Sequence, residues 1–283
     1  MTLSELQVLI CTTGREASRP ALIYGARIAH LLGIPAQLLG IEKKGVSTPE
    51  EVAALLAEGE AELQKLGVPY QVVLKSGSIE DIVPPETENR PSLTVIPPLE
   101  RSTLQTWLQG DPLNKLVTRM SQPIFHVPEM KYPMKHILCS VGGLAYASSL
   151  FRFCVYLAKA SGADLTLLYV IEPANLDEPF IRPVDEPGLS LLDTDTPQGR
   201  NLRRMRDEAL NAGVDTQIRL RHGIPVREIL AQINDADYDL VGVGSPLSAN
   251  AMRQRYLPNI TGMIIQMANC PVVTVRYGFE LES

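Results

Sequence analysis

The sequence predicts an α/β protein of two tandem doubly wound domains, each with a five-stranded, mostly parallel sheet flanked by helices. Three observations predict this class. The chain has 283 residues, about twice the size of an ordinary domain. Apolar runs of strand length alternate with amphipathic helical patterns, which favours parallel strands covered on both faces. The whole succession of elements occurs twice along the chain.

The first copy shows the alternation most clearly. Val8–Thr12 has the apolar character of a buried strand, and Arg19–Leu32 has apolar residues at helical spacing. Thr48-Pro49-Glu50-Glu51 marks a helix start, because threonine caps free N–H groups, proline suits the first position and acids favour the helix dipole. That helix is expected to end at Gly67. The other predicted strands are Ala36–Ile41, Tyr70–Leu74, Leu93–Ile96 and Ile124–Val127, and the other predicted helices are Ile79–Val83 and Asn114–Met120.

The second copy repeats this pattern and sets the predicted domain bounds at 1–130 and 131–283. The matching segments are Gln7–Gly14 with His136–Gly143, Ser76–Gly77 with His222–Gly223, and Gln122–Val127 with Cys270–Val275. The spacing between matching segments increases after the second strand, so the second copy holds an insertion within 172–199. Five prolines there predict a loop, since proline removes helix and ladder hydrogen bonds. A mobile lid and a plain surface excursion both stay open as its role.

Composition excludes several classes of protein. The net charge of −6 argues against non-specific nucleic-acid binding, which needs clustered lysine and arginine. Apolar runs are too short for a membrane span, and the amino terminus lacks the features of a signal peptide. The four cysteines are scattered, which predicts small buried residues rather than disulfides or a metal site. A cytoplasmic protein without bound metal is therefore expected.

Segments of the second copy resemble, in order, the conserved strands of the universal stress protein family. The resemblance implies the HUP-type fold shared with adenine-nucleotide alpha-hydrolases. It also implies a role in the stress response, and for many members a site for ATP at the carboxyl ends of the strands. The segments are Ile137–Gly143, His222–Pro225, Asp239–Ser245 and Met267–Val275.

Both copies depart from the family's ATP pattern, G-x-x-G followed farther on by G-S/T. The first copy has Pro97-Pro98 at the first glycine, Asp111 after the surviving Gly110, and Thr13 at the family's aspartate position, so ATP is not expected there. In the second copy Leu247 replaces the second glycine, and Pro258, which has no N–H, stands near the last one. ATP is therefore a candidate cofactor of the second copy alone. The candidate ligand-binding residues are Gly142, Val170, His222, Gly244, Ser245, Arg253, Arg255, Asn259 and Thr261.

Other polar residues are interpreted as structural. His126 and His136 flank the domain junction, where a linker or surface position is expected. A basic cluster is interpreted as a solvated face or as pairs to the other domain. Its members are Arg200, Arg203, Arg204, Arg206, Arg219 and Arg221. We identify no nucleophile–base pair in the sequence, so no catalytic residue is assigned.

The sequence therefore predicts a stress-response regulatory or ligand-sensing protein without the family's usual ATP binding. Two alternatives stay open: a nucleotide-binding protein with weak or no ATPase activity, and a carrier of a small ligand between the domains. The expected partners are a small molecule or nucleotide and other proteins, with neither nucleic acid nor membrane. The closing strands Ile124–Val127 and Val272–Val275 are expected to form an intramolecular pseudo-dimer, and a homodimer is a further possibility.

Overall fold

The computed structural model describes residues 2–43, 45–99, 112–142, 148–172, 190–244 and 260–281. Within these residues, ten strands form one continuous sheet. The strands are β1 Gln7–Thr12, β2 Ala36–Glu42, β3 Tyr70–Ser76, β4 Ser92–Ile96, β5 Ile124–His126, β6 His136–Ser140, β7 Asp164–Ile171, β8 Thr216–His222, β9 Leu240–Gly244 and β10 Val272–Val275. The α-helices are α1 Arg19–Leu32, α2 Pro49–Lys65, α3 Ile79–Asn89, α4 Pro112–Arg119, α5 Ser148–Ser161, α6 Pro197–Asn211, α7 Pro225–Asp235 and α8 Ile260–Met267.

The strand order confirms two doubly wound halves. Across the sheet the order is β3-β2-β1-β4-β5-β10-β9-β6-β7-β8, and neighbours within each half are parallel. The halves meet where β5 and β10 pair antiparallel, with Phe125 opposite Val273 and His126 opposite Val272. The predicted contact between the closing strands is thus confirmed. Because this pairing is antiparallel, the carboxyl ends of the parallel strands in the two halves lie at opposite edges of the sheet.

Helices cover both faces of this sheet, as the sequence predicts. One apolar cluster packs α1, α2, α5 and α6 against one face, and a second packs α3, α4, α7 and α8 against the other. Strands buried on both faces need apolar residues at nearly every position, and all six residues of β1 are buried. All four cysteines are free thiols buried in these layers, as expected. Within the described residues, the helices are too short or too polar to cross a membrane.

The helix starts follow from local chemistry. α2 begins with the predicted cap: the Thr48 hydroxyl accepts from the Glu51 N–H at 3.3 Å, and the Glu51 carboxylate accepts from the Thr48 N–H at 2.8 Å. α6 begins in the same way, since Thr196 accepts from the Gly199 N–H at 3.1 Å and Pro197 takes the first helical position. The prediction of a loop throughout 172–199 was therefore wrong at its end. A proline at the first turn starts a helix, because its missing N–H would be unpaired there anyway.

The helix predicted at Ile79–Val83 extends to Asn89, through Pro84 and Pro85. Proline at position 84 leaves the Glu80 carbonyl without its usual helical donor. The guanidinium of Arg119, at the end of α4, donates to that carbonyl at 2.8 Å. A neighbouring helix thus supplies the missing hydrogen bond, and the sequence alone does not reveal this contact.

His126 is buried at the centre of the sheet, where a linker or surface position was expected. It is the last residue of β5, only 6% exposed, and its Nδ1 has no hydrogen-bond partner within the described part of the chain. Burial lowers the pKa of His126 to about 4, because the charged imidazolium would lose its hydration. Its counterpart in the repeat is Thr274 of β10.

We expect Arg119→Met to lower the free energy of unfolding by about 1–2 kcal/mol, because the Glu80 carbonyl loses its hydrogen bond from the guanidinium. Urea unfolding at neutral pH measures the change. Lys115→Met is the matched control, since it removes one positive charge from the same helix at an exposed position. Equal losses in the two variants would contradict the contact.

The buried imidazole predicts acid sensitivity. Between the unfolded pKa near 6.5 and the folded pKa of about 4, only the unfolded chain binds the proton, so stability falls as pH falls. Between pH 7 and pH 4 the free energy of unfolding of the wild type should fall by about 3 kcal/mol more than that of His126→Thr. This variant carries the residue found at the matching position of the second half, Thr274. Urea unfolding from pH 7 to pH 4 measures the difference, in which other titrating groups cancel. Parallel pH profiles would contradict the buried neutral state.

Candidate functional site

The candidate site lies at the carboxyl ends of β6, β7 and β9 in the second half. Ser140 of β6 pairs with Leu168 of β7 and with Val243 of β9. Two residues farther on, Gly142 therefore lies beside Val170, with the end of β9 at Gly244 on its other side. This edge of a doubly wound sheet, where the strand order reverses, is the usual place for a ligand.

No residue that the structure describes fills the space beside the two glycines of this edge. Gly142 is exposed and Gly244 is half-buried. A Cβ atom built on either residue would have no described heavy atom within 4 Å. A ligand can therefore approach the backbone of both strands closely.

Thr261 connects the end of β9 to the helix that follows. Its side chain is buried, and its hydroxyl donates to the Gly244 carbonyl at 2.5 Å. The first turn of α8, which begins at Ile260, is thereby held against this edge. The hydroxyl proton is used in this bond, so Thr261 keeps only acceptor capacity for any ligand.

The structure brings together some of the predicted site residues and separates one. Gly142, Val170, Gly244 and Thr261 share the edge. His222 is exposed on the outermost strand, opposite Ile171, one strand beyond Val170. The remaining predicted site residues, Ser245, Arg253, Arg255 and Asn259, lie outside the described residues.

Most arginines of the predicted basic cluster bind groups within the second half. Arg203 donates to the Thr194 carbonyl at 2.9 Å and to the Leu192 carbonyl, which fastens the segment before α6. Arg221 of β8 donates to Gln232 at 3.0 Å and forms ion pairs with Glu228 and Asp235. Arg200 pairs with Asp195 at 2.9 Å, and Arg206 with Asp207 at 3.2 Å. These pairs are local to the second half, and Arg219 is exposed.

In the first half, the turn after β1 is filled by residues of the same half. Gly14 has a φ of +78°, and a Cβ there would lie 2.7 Å from Val52 Cγ2 and 2.9 Å from Ser47 Cβ. Its N–H donates to the Thr12 hydroxyl at 3.2 Å, and the Thr13 N–H donates to Ser18 at 3.3 Å. These backbone donors, which could otherwise hold an anion, are thus engaged.

The electrostatics of the first-half edge also oppose a phosphate. A groove of about 490 Å³ beside Gly14 is lined by Glu16, Glu51 and Glu58 as well as Arg15. Directly after β4, Pro97 is buried and Pro98 is half-buried, and neither has an N–H to donate. The sequence shows these prolines, but it gives no signal that Val52 and Ser47 fill the turn. Gly110 and Asp111 lie outside the described residues.

Comparison with protein families identifies the class. Residues 133–276 match the universal stress protein family, and the chain belongs to that family. No curated protein matches the chain. The first half has a similar fold to the second although the family match lies in the second.

Solved structures support the same fold over both halves. A universal stress protein from Archaeoglobus fulgidus DSM 4304 aligns with a TM-score of 0.69 and 16% identity, covering 98% of each chain. A putative universal stress protein from Pseudomonas aeruginosa UCBPP-PA14 aligns with a TM-score of 0.65 and 14% identity, covering 96% of this chain and 92% of that one. At these identities the likeness concerns the fold.

The described residues hold no group of three histidine, cysteine or acidic side chains placed to bind a metal ion.

We expect Thr261→Val to lower the free energy of unfolding by about 1 kcal/mol, because the Gly244 carbonyl loses its donor while the side-chain volume is kept. Thr261→Ser is the control, because it keeps the hydroxyl donor and removes only the methyl group. Thermal unfolding compares the three proteins. If valine and serine destabilise equally, the hydroxyl does not hold α8 to the edge.

Proposed function

We propose that this chain is a regulatory, ligand-sensing protein of the universal stress type, and that its second half binds a small anionic ligand at the Gly142–Gly244 edge. One contrast carries the proposal. In the first half, a Cβ at Gly14, the residue after the counterpart of Gly142, would clash with Val52 and Ser47, whereas a Cβ at Gly142 or Gly244 would meet no described heavy atom within 4 Å. One copy thus acts as a scaffold, and the other keeps room for a ligand.

An anion fits this edge for two reasons. The N-terminus of α8 carries the partial positive charge of a helix start, and the bond from Thr261 to Gly244 holds that end beside the strand. Open glycines also let a ligand reach backbone groups without a side chain in between. The buried free cysteines fit the reducing conditions of the cytoplasm, where we propose the protein acts.

The family's usual ATP binding is not part of the proposal. Leu247 and Pro258 replace residues of the glycine pattern, and the only donor of the Thr261 hydroxyl is already used. The proposed role is to change conformation or partner when the ligand binds, without turnover.

A nucleotide is the second candidate, because the same open edge and helix terminus would suit its phosphates. The role of a carrier between the halves stays a hypothesis. β5 and β10 pair directly across the junction, and that contact does not itself provide a cleft.

Thermal unfolding with ATP and Mg²⁺ separates the two candidates. We expect ~1 mM ATP to raise the free energy of unfolding by less than about 1.4 kcal/mol, the value for a Kd near 100 µM. A larger rise that disappears in Gly142→Leu, which fills the open edge, would establish the nucleotide instead. Thr13→Leu, at the matching position of the first half, is the control and should change neither result.

The anion itself is sought by native mass spectrometry of protein taken directly from cells, and by unfolding in phosphate, sulfate and small carboxylates. For the wild type and for Thr13→Leu, we expect either a bound ligand in the mass spectrum or an anion that raises the melting temperature. For Gly142→Leu we expect neither result. If no anion binds the wild type, or if Gly142→Leu binds equally well, the proposal fails.

A further inference from the structure

The two outermost strands of the sheet are the same element of the repeat, but their apolar side chains are not equally covered. Val72 and Leu74 of β3 correspond to Ile218 and Leu220 of β8. Val72 is 41% exposed and Leu74 is 53% exposed. Ile218 and Leu220 are half-buried and pack against the core cluster. The first half thus leaves an apolar surface open that the second half covers.

The second half also carries a segment that has no counterpart in the first half. Leu191 and Leu192 form a short 3₁₀ turn at the end of the insertion and pack on the same core cluster. The Leu191 carbonyl lies so close to α6 that a Cβ at Gly199 would be 2.5 Å from it. The second half therefore adds a segment against α6, and its outer strand carries Arg219 and Arg221, charged residues of the kind that protect an end strand.

The first half has only short side chains at the matching place. Tyr70 of β3 donates to Glu60 at 3.1 Å and accepts from Gln64 at 2.7 Å, so this ridge of α2 faces the outer strand. Toward the N-terminus of α2, the next residues of this ridge are Ala57 and Ala53, and both are exposed. Alanines cannot reach over Val72 and Leu74, which explains their exposure.

The outer edge of β3 also exposes backbone groups. β3 ends the sheet and pairs with β2 alone, so half of its N–H and C=O groups point outward without a strand partner among the described residues. An apolar end strand without proline is a template for another strand. The surface therefore offers both hydrogen bonds and apolar contacts.

We infer that a second copy of this chain docks here, with β3 antiparallel to the partner's β3 across a two-fold axis at Val73. This register pairs all seven residues of the strand. Val72 then faces the partner's Leu74, and each copy adds the same pair, so four apolar side chains form one cluster on the α2 face.

The charges are compatible with this register. On the opposite face Lys75 meets the partner's Gln71, so the two lysines are not opposite each other. Lys75 is moreover already paired with Glu86 in its own chain. Antiparallel pairing of equivalent strands also occurs within the chain, where β5 and β10, the last strand of each half, join the two halves. The proposal concerns the far end of the sheet and is independent of the ligand site.

Sedimentation equilibrium of the full chain tests the inference. We expect the wild type to be a dimer at micromolar concentration. Leu74→Lys should weaken the dimer about 100-fold or more, because the two-fold axis introduces the change twice into an apolar cluster. Met267→Lys is the matched control: it changes an apolar residue on α8 that is 62% exposed and should leave the mass unchanged.

A mixed dimer tests the register. Val72→Glu and Leu74→Lys should each be monomeric alone. In an equal mixture they should form a dimer, because one pair of positions becomes Glu opposite Lys and the other stays Leu opposite Val. Circular dichroism and melting temperature show that the variants are folded, as expected at exposed positions.

A wild-type monomer at all concentrations would overturn the inference and leave β3 to a different partner. A dimer that Leu74→Lys leaves intact, or that Met267→Lys dissociates, would place the contact elsewhere and also overturn it. A mixture that fails to dimerise would overturn the proposed register.

Discussion

The antiparallel pairing of β5 with β10 is the contact on which the rest of the architecture depends. It joins two parallel five-stranded sheets into one, with Phe125 and Val273 at its centre. A row of aromatic rings continues across the junction: Phe125 lies 6.2 Å from Tyr24 of the first half and 6.0 Å from Phe153 of the second, measured between ring centroids. Phe153 in turn lies 5.9 Å from Phe279. The halves therefore share a core rather than a surface contact.

This pairing separates the two potential ligand edges. Because β5 and β10 run in opposite directions, the carboxyl ends of the parallel strands point to opposite sides of the molecule. The two edges are therefore built from different residues. Val52 and Ser47 fill the turn at Gly14, while no described heavy atom lies within 4 Å of a Cβ built on Gly142 or Gly244. The duplication can thus support division of labour, with one edge given over to packing and the other kept for a ligand.

The pairing also places β3 and β8 at the two far ends of the sheet. Each end strand needs protection of its outer backbone groups. The second half has two charged residues on β8, Arg219 and Arg221. The first half has one on β3, Lys75, and its helix presents Ala53 and Ala57 beside the apolar side chains of that strand.

Local chemistry sufficed for much of the fold. The helix over Arg19–Leu32 agrees with its prediction at both ends, and α2 begins with the cap expected at Thr48. These features depend on residues close in sequence, whose side chains and backbone meet whatever the remainder does. The repeat likewise indicated two equivalent halves and the meeting of the closing strands.

Contacts between distant residues were decided only in the tertiary structure. The helix continues past Pro84 because Arg119, from another helix, donates to the carbonyl that proline leaves unpaired. His126 is buried because β10 lies beside it, which no nearby residue indicates. At the candidate site the sequence identified the glycines and their edge, since strand ends in a doubly wound sheet meet there. Which glycine faces open space depends on side chains from helices far along the chain. The sequence by itself therefore determined the two equivalent halves, and tertiary packing decided that Val52 and Ser47 fill the turn at Gly14 while no described residue fills the space at Gly142 and Gly244.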